Sequence, residues 1–126
     1  METNLKIYTS NITENNIDSA ISKNLLPIFI PKTLKGLVEK YSGSAIHFKE
    51  LSPSNSARDT KGYIIELSSL NFQNIIRKLE NLSELSNSDG VVLFDYDENY
   101  SESCRYIISE LFNKSGILKN TITELP

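Results

Sequence analysis

The sequence of 126 residues is poor in the residue types on which several classes of function depend. It contains one cysteine, Cys104, and one histidine, His47. A single cysteine excludes an internal disulfide framework and fits a reducing compartment. One cysteine and one histidine do not suffice for a zinc site of the usual nitrogen and sulfur type. We therefore predict no metal site and no cofactor.

Long apolar runs and an excess of basic charge are also missing. No run approaches the ~20 apolar residues that span a bilayer, and the start of the chain has no basic region followed by an apolar one. The formal net charge is −3. Duplex nucleic acid and anionic membranes bind basic surfaces, so neither is an expected partner. The cytoplasm is the expected location.

Glycine is too scattered to form a phosphate-binding loop. The five glycines lie at positions 36, 43, 62, 90 and 116, far from one another in the sequence. A bound nucleotide would therefore be held by helix N-termini and side chains. The length is that of one domain, residues 1–126, for which we expect one site.

The apolar pattern predicts strands and helices that alternate along the chain. Continuous apolar runs are typical of strands covered on both faces, and apolar residues at three- and four-residue steps are typical of helices. Strands are predicted at 5–8, 25–31, 91–94 and 117–122, and helices near 16–23, 34–41, 72–82 and from Ser101 or Ser103 to Gly116. Residues 43–62 are predicted to form an irregular loop. This alternation indicates an open, mostly parallel α/β sheet with helices on both faces.

An open parallel sheet binds ligands beyond the carboxyl ends of its strands. This rule selects three segments, namely 8–11, 31–33 and 95–105. The third segment is the richest in chemistry, because it contains Asp95, Tyr96, Asp97, Glu98, Glu102, Cys104 and Arg105. Asp95, directly after four apolar residues, is expected to be partly buried and perturbed.

Arg105 is predicted in the first turn of a helix, where a cation opposes the helix dipole unless an anion lies in front of it. A phosphate or carboxylate ligand would supply that anion. The alternative is an ion pair with Glu102, Asp97 or Glu98.

Cys104 lies close to the same helix N-terminus, which lowers the pKa of a thiol and makes it more nucleophilic. The alternative is a small, unreactive core thiol. His47 is expected to be a surface residue or one whose hydrogen bonds are satisfied, because spacing gives no reason to place it beside Cys104.

Four segments carry a resemblance to a known family: "KIYTSN" (6–11), "LPIFIP" (26–31), "HFKELSPS" (47–54) and "VVLFDYDENYSESCR" (91–105). Their order and spacing resemble the short, single-domain branch of the family catalogued as domain of unknown function 488. The resemblance runs over nearly the whole chain and implies a Rossmann-like α/β fold.

This chain departs from that family's pattern at the third segment of the predicted site. It has Ser103, Cys104 and Arg105 where the family has Cys-His-Arg, and Asp95 and Asp97 replace a cysteine and a glutamate. The missing histidine is the group best suited to proton transfer near neutral pH. The polar residues that match the family, together with Asp97, predict a ligand-binding set, which consists of Thr9, Ser10, Ser54, Asp97 and Arg105.

Three functions are compatible with these residues. The first is a binding domain for a nucleotide-like or other anionic small ligand, without robust catalysis. The second is a protein-binding module of the inhibitor or immunity type, as phages and mobile elements encode, whose acidic segment 95–102 meets a basic partner. The third is a hydrolase or transferase acting on a nucleoside or sugar-phosphate bond, with Asp95, Asp97 or Cys104 as candidate catalytic residues.

Overall fold

Parallel strands form one open sheet in the computed structural model, which describes residues 4–31, 36–41, 43–53 and 60–125. The strands are β1 (Ile7–Asn11), β2 (Leu25–Phe29), β3 (Ile46–His47), β4 (Gly90–Asp95) and β5 (Thr123–Glu124). The helices are α1 (Glu14–Ser22), α2 (Leu37–Lys40), α3 (Thr60–Ser68), α4 (Phe72–Leu85) and α5 (Cys104–Ser115), with single 3-10 turns at Lys49–Leu51 and Tyr100–Glu102. The predicted α/β sheet is confirmed, and its described strands are all parallel.

The strand order is β3-β2-β4-β1-β5, with β4 in the centre. The chain leaves β2 toward β3 at one edge, whereas it leaves β4 in the opposite direction and passes β1 to reach β5. The connections that follow β2 and β4 therefore diverge. In an open parallel sheet this divergence opens a crevice at the carboxyl ends of the two strands.

Alternate residues of the strands pack against helices on opposite faces. Val92 and Phe94 of β4 pack with Ile17 and Ala20 of α1 on one face. The other face is larger and is covered by α3, α4 and α5, whose buried residues include Tyr63, Leu67, Ile75, Ile76, Leu79, Ile108 and Phe112. Because both faces are covered, the runs in β2 and β4 are continuously buried.

The two long helices follow the sequence pattern closely. In α4, Ile75, Ile76 and Leu79 are buried at the predicted spacing. The helix α5 begins after Ser103, whose hydroxyl accepts the backbone N–H of Tyr106 at 3.2 Å. It ends at Gly116, which has φ +76° as a left-handed cap requires.

Pro27 lies in the middle of β2. The neighbouring residues show which way its backbone faces: Phe29 accepts a hydrogen bond from Phe48 on the β3 side, and Ile30 donates one to Phe94 on the β4 side. Pro27 therefore faces the β3 side, where β3 pairs only with Ile28 and Phe29. Its missing N–H leaves no hydrogen bond of the sheet unmade.

The predicted boundaries of the first and last strands are wrong. The strand β1 continues through Thr9, Ser10 and Asn11, because these residues pair with β4 and the neighbouring core covers them. The last strand is Thr123–Glu124 and not 117–122, and residues 117 and 118 pack on the core.

The predicted loop at 43–62 is also partly wrong. It contains the edge strand β3 and the start of α3. The sequence contains little sign of α3, because threonine and glycine in its first turn have weak helix propensity and its described buried residues, Tyr63 and Leu67, form too short a pattern.

Candidate functional site

An open cleft of about 330 Å³ lies at the carboxyl ends of β2 and β4. Its apolar wall includes Pro31, Pro53 and Tyr96, and its polar wall includes the carboxylates of Asp97 and Glu102. The cleft lies where the connections after β2 and β4 diverge, which is where ligands bind in open α/β sheets. The predicted location of a site after β4 therefore coincides with a real concave surface.

Three further residues line the cleft from below. Ile30 follows β2, Asp95 ends β4, and Cys104 begins α5. Asp95 is 5 % exposed, and burial raises the pKa of its carboxyl group. The prediction that Asp95 is buried and perturbed is confirmed.

Arg105 is one of the most deeply buried side chains, with 1 % exposure. Its Nε and Nη2 form a fork around the carboxylate of Glu124, with Nε 3.0 Å from Oε1 and Nη2 2.8 Å from Oε2. Its Nη1 donates to Oδ1 of Asp95 and, at 2.6 Å, to the backbone carbonyl of Asp97. The Tyr100 ring lies 5.5 Å from the guanidinium carbon. The charge of Arg105 is thus compensated within the chain.

The same carboxylates supply the anion expected in front of α5. Oδ2 of Asp95 accepts the backbone N–H of Arg105 at 2.9 Å, so Asp95 binds both the side chain and the helix N-terminus. Arg105 forms ion pairs within the chain, as the alternative interpretation predicts, but its partners differ from the predicted ones. Glu102, Asp97 and Glu98 were the expected carboxylates, and only Asp97 takes part, through its backbone carbonyl.

Burial and charge shift the pKa of both partners. Burial raises the pKa of Asp95, against the opposing effect of the Arg105 backbone and side chain. For Arg105, burial lowers the pKa, but the hydrogen bond to Glu124 and the charge of Asp95 outweigh it and raise the pKa. Arg105 therefore stays charged throughout the physiological range.

The other residues that were predicted to contact a ligand lie in different environments. Thr9 is fully buried in β1, and its hydroxyl donates to Oε1 of Glu124 at 2.6 Å. Ser10 is also buried, at 5 % exposure. Ser54 lies outside the described residues. Of the predicted set, Asp97 alone is both described and exposed on the cleft.

His47 has its hydrogen bond satisfied. Its Nε2 lies 2.5 Å from the carbonyl oxygen of Pro31, which can only accept, so this nitrogen carries the proton. The expectation of a satisfied histidine is confirmed.

Glu124 is the residue of this region that sequence reasoning missed. It lies 19 residues beyond Arg105 and belongs to a strand of two residues. Its only signal in the sequence is an acidic residue between Thr123 and Leu125, which is too common a pattern to be informative.

Cys104 does not have the microenvironment of a nucleophilic thiol. Burial raises its pKa to about 11, and the charges of Asp95 and Asp97 act in the same direction. The helix N-terminus is already neutralised by Asp95, so it gives the thiolate little help. The alternative interpretation, an unreactive thiol, fits this geometry better.

We expect alkylation of Cys104 by iodoacetamide to be slow. A rise from 9.0 to about 11 lowers the thiolate fraction at pH 8 about a hundredfold, so the folded protein should react far more slowly than the denatured protein. The alkylation rate of the folded protein should rise with pH and reach half of its maximum near pH 11. Since the folded state has the higher pKa, this group stabilises the fold fully below pH 9, and the contribution is lost as the pH rises through about 11.

The only cysteine makes the measurement unambiguous, because mass spectrometry of the intact chain counts one adduct. The denatured protein supplies the unshifted rate. A midpoint of the folded protein at or below 9 would show an activated thiol and restore Cys104 as a catalytic candidate.

The fold and the cleft place the chain in the class of open parallel α/β proteins. Comparisons with models of protein families, with curated proteins and with solved structures find no match. Within the described ranges, no helix is both long and apolar enough to cross a bilayer, and no group of three metal-ligating acidic, histidine or cysteine side chains converges. The resemblance to the domain of unknown function 488 and the cytoplasmic location stay predictions.

Proposed function

We propose that this protein is a binding domain for a small molecule, and that the ligand binds in the cleft between the carboxyl ends of β2 and β4. The observation that carries the proposal is the position of the cleft at the divergence of the two connections. Its volume, about 330 Å³, falls at the low end of the range of ligand pockets. The ligand is therefore of the size of a nucleobase or nucleoside.

The chemistry of the described lining favours a ligand that donates hydrogen bonds or carries positive charge. Asp97 and Glu102 offer carboxylate acceptors, while Pro31, Pro53 and Tyr96 offer apolar surface to a flat ring. The described lining contains no lysine or arginine, because Arg105 is enclosed by carboxylates beneath the cleft. For a nucleotide-like ligand, these residues support contact with the amino-bearing base and not with the phosphate.

The test is a thermal-shift and NMR titration with matched nucleobases, nucleosides, nucleotides and small aromatic amines. We expect amino-bearing bases and amines to raise the Tm and to shift the backbone resonances of Tyr96, Asp97 and Cys104. Nucleotides should bind more weakly than their nucleosides, because their phosphates meet Asp97 and Glu102.

Two variants and a matched control locate the site. Asp97→Asn and Glu102→Gln each remove one charged acceptor, and each should weaken binding about tenfold, since a hydrogen bond to a charged group contributes about 1.5 kcal/mol or more. Glu98→Gln is the control, because Glu98 is exposed in the same segment but does not line the cleft. Equal effects of all three variants, or no stabilisation by any compound, would contradict the proposal.

A second candidate function is the binding of a protein with a basic surface. The observation that favours it is that Asp97, Glu98 and Glu102 are exposed and that none of them forms an ion pair within the described part of the chain. Asp95 does not belong to this surface, since it is buried with Arg105. A salt-sensitive complex lost in Glu98→Gln as well as in Asp97→Asn would support this function, whereas ligand binding depends on the cleft residues alone.

Catalysis has less support than binding. Both oxygens of Asp95 are engaged by Arg105, and Cys104 is protonated at neutral pH. Asp97 is the one candidate that stays accessible on the cleft. A hydrolase or transferase would therefore depend on Asp97, and turnover that survives in Asp97→Asn would remove this alternative.

A further inference from the structure

We propose that Arg105 and Thr9 form a carboxylate-binding site, which Glu124 fills as an internal ligand and which accepts a small organic acid when the Glu124 carboxylate is removed. This site is formed by residues of β1, β5 and α5, and it meets the cleft between β2 and β4 at Asp95 and at the backbone carbonyl of Asp97. It goes beyond the proposed function, since it concerns other residues and a ligand of opposite charge.

The donors around Glu124 have the geometry of a recognition site. Nε and Nη2 of Arg105 present two parallel N–H groups to the two carboxylate oxygens, at 3.0 and 2.8 Å. The hydroxyl of Thr9 adds a third donor at 2.6 Å from Oε1. A carboxylate is the planar anion that this fork matches.

The site is held in shape without Glu124. Arg105 is also bound by Asp95 and by the carbonyl of Asp97 through Nη1, which is on the far side of the guanidinium from the Glu124 fork. Thr9 is fixed in β1 between β4 and β5. Thr9 pairs with the backbone of Glu124 in β5, but none of these contacts uses the Glu124 side chain, so the donors stay oriented for a replacement anion.

The internal ligand is held less firmly than the site. Glu124 belongs to a strand of two residues at the edge of the sheet, and its side chain is 28 % exposed whereas that of Arg105 is 1 % exposed. Part of the Glu124 side chain is therefore in contact with solvent, whereas the side chain of Arg105 is enclosed. This asymmetry is that of a ligand in a binding site and not of two equal partners in an enclosed pair.

The experiment is rescue of Glu124→Ala by acetate. Thermal unfolding is measured at pH 7 in sodium acetate and in sodium chloride of equal ionic strength. We expect acetate to raise the Tm of Glu124→Ala by about 3 °C or more over chloride, while the wild-type protein shows no difference because its site is filled. Glu110→Ala is the matched control, since it removes a half-exposed carboxylate that pairs with Lys114.

A second variant keeps the proposal testable if Glu124→Ala does not fold. Glu124→Gln retains the size of the side chain but turns an amide N–H₂ toward the guanidinium, which weakens the internal contact. Acetate should then shift the Nε resonance of Arg105 with saturation in Glu124→Gln and leave it unchanged in the wild-type protein. No shift in Glu124→Gln, or an acetate response in Glu124→Ala no larger than in Glu110→Ala, would overturn the proposal.

Discussion

Replacing Arg105 with methionine is expected to lower the free energy of unfolding by about 3–5 kcal/mol. Methionine has a similar length, so the main loss is charge: Asp95 stays buried without its cation. Glu124 contributes less, because it is 28 % exposed and can turn toward water. Since domains of this kind are stable by about 5–15 kcal/mol, the variant should lose a large part of its stability in urea denaturation.

Two comparisons separate the loss of charge from the loss of packing. Arg77→Met is the control, because Arg77 is exposed on α4, and it should change stability by less than about 0.5 kcal/mol. Adding Asp95→Asn to Arg105→Met removes the unpaired buried charge, so the double variant should recover part of the loss. A cost in Arg105→Met equal to that in Arg77→Met would show that the buried pair does not stabilise the fold.

Replacing Gly90 with alanine is expected to cost about 1–3 kcal/mol through overpacking. A Cβ at Gly90 would lie 2.6 Å from the backbone oxygen of Lys6 and 3.2 Å from its Cβ. That oxygen accepts the N–H of Val91 at 3.0 Å, so it cannot move away without weakening the pairing of β1 with β4. Chemical denaturation and hydrogen exchange of the β4 amides would measure the cost.

Gly116→Asn is the matched control for this substitution. It also removes a glycine, but no atom lies within 4 Å of the added Cβ, and asparagine tolerates the left-handed conformation of φ +76°. We expect a cost of about 1 kcal/mol or less. If both variants cost the same, the lost glycine flexibility and not the contact with Lys6 would be responsible.

The ion pairs of Arg105 with Asp95 and Glu124 change the role that the sequence predicts for Arg105. A cation in the first turn of α5 correctly indicated an anion in front of it, yet that anion is a pair of carboxylates of the same chain. The ligand chemistry proposed for the cleft follows from this result. With Arg105 compensated, the described lining presents Asp97 and Glu102, so positive or hydrogen-bond-donating ligands replace anionic ones as the favoured class.

The sequence by itself determined the α/β class, the buried strands β2 and β4, and the helices α4 and α5, and it selected the segment after β4, which lines a cleft. These features depend on local patterns: continuous apolar runs, apolar residues at helical spacing, Ser103 before a helix and Gly116 after it. Each pattern lies within one element, so no knowledge of distant residues was needed.

Only the tertiary structure decided the strand order, the crevice between β2 and β4, and the partners of Arg105. Glu124 comes to Arg105 because β5 pairs with β1, and the pairing of two-residue strands follows from packing and not from a sequence pattern. Thr9 and Ser10 were predicted to face a ligand, but the register of β1 against β4 buries them. Contacts between residues far apart in the chain depend on which strands become neighbours, and local propensity does not contain that information.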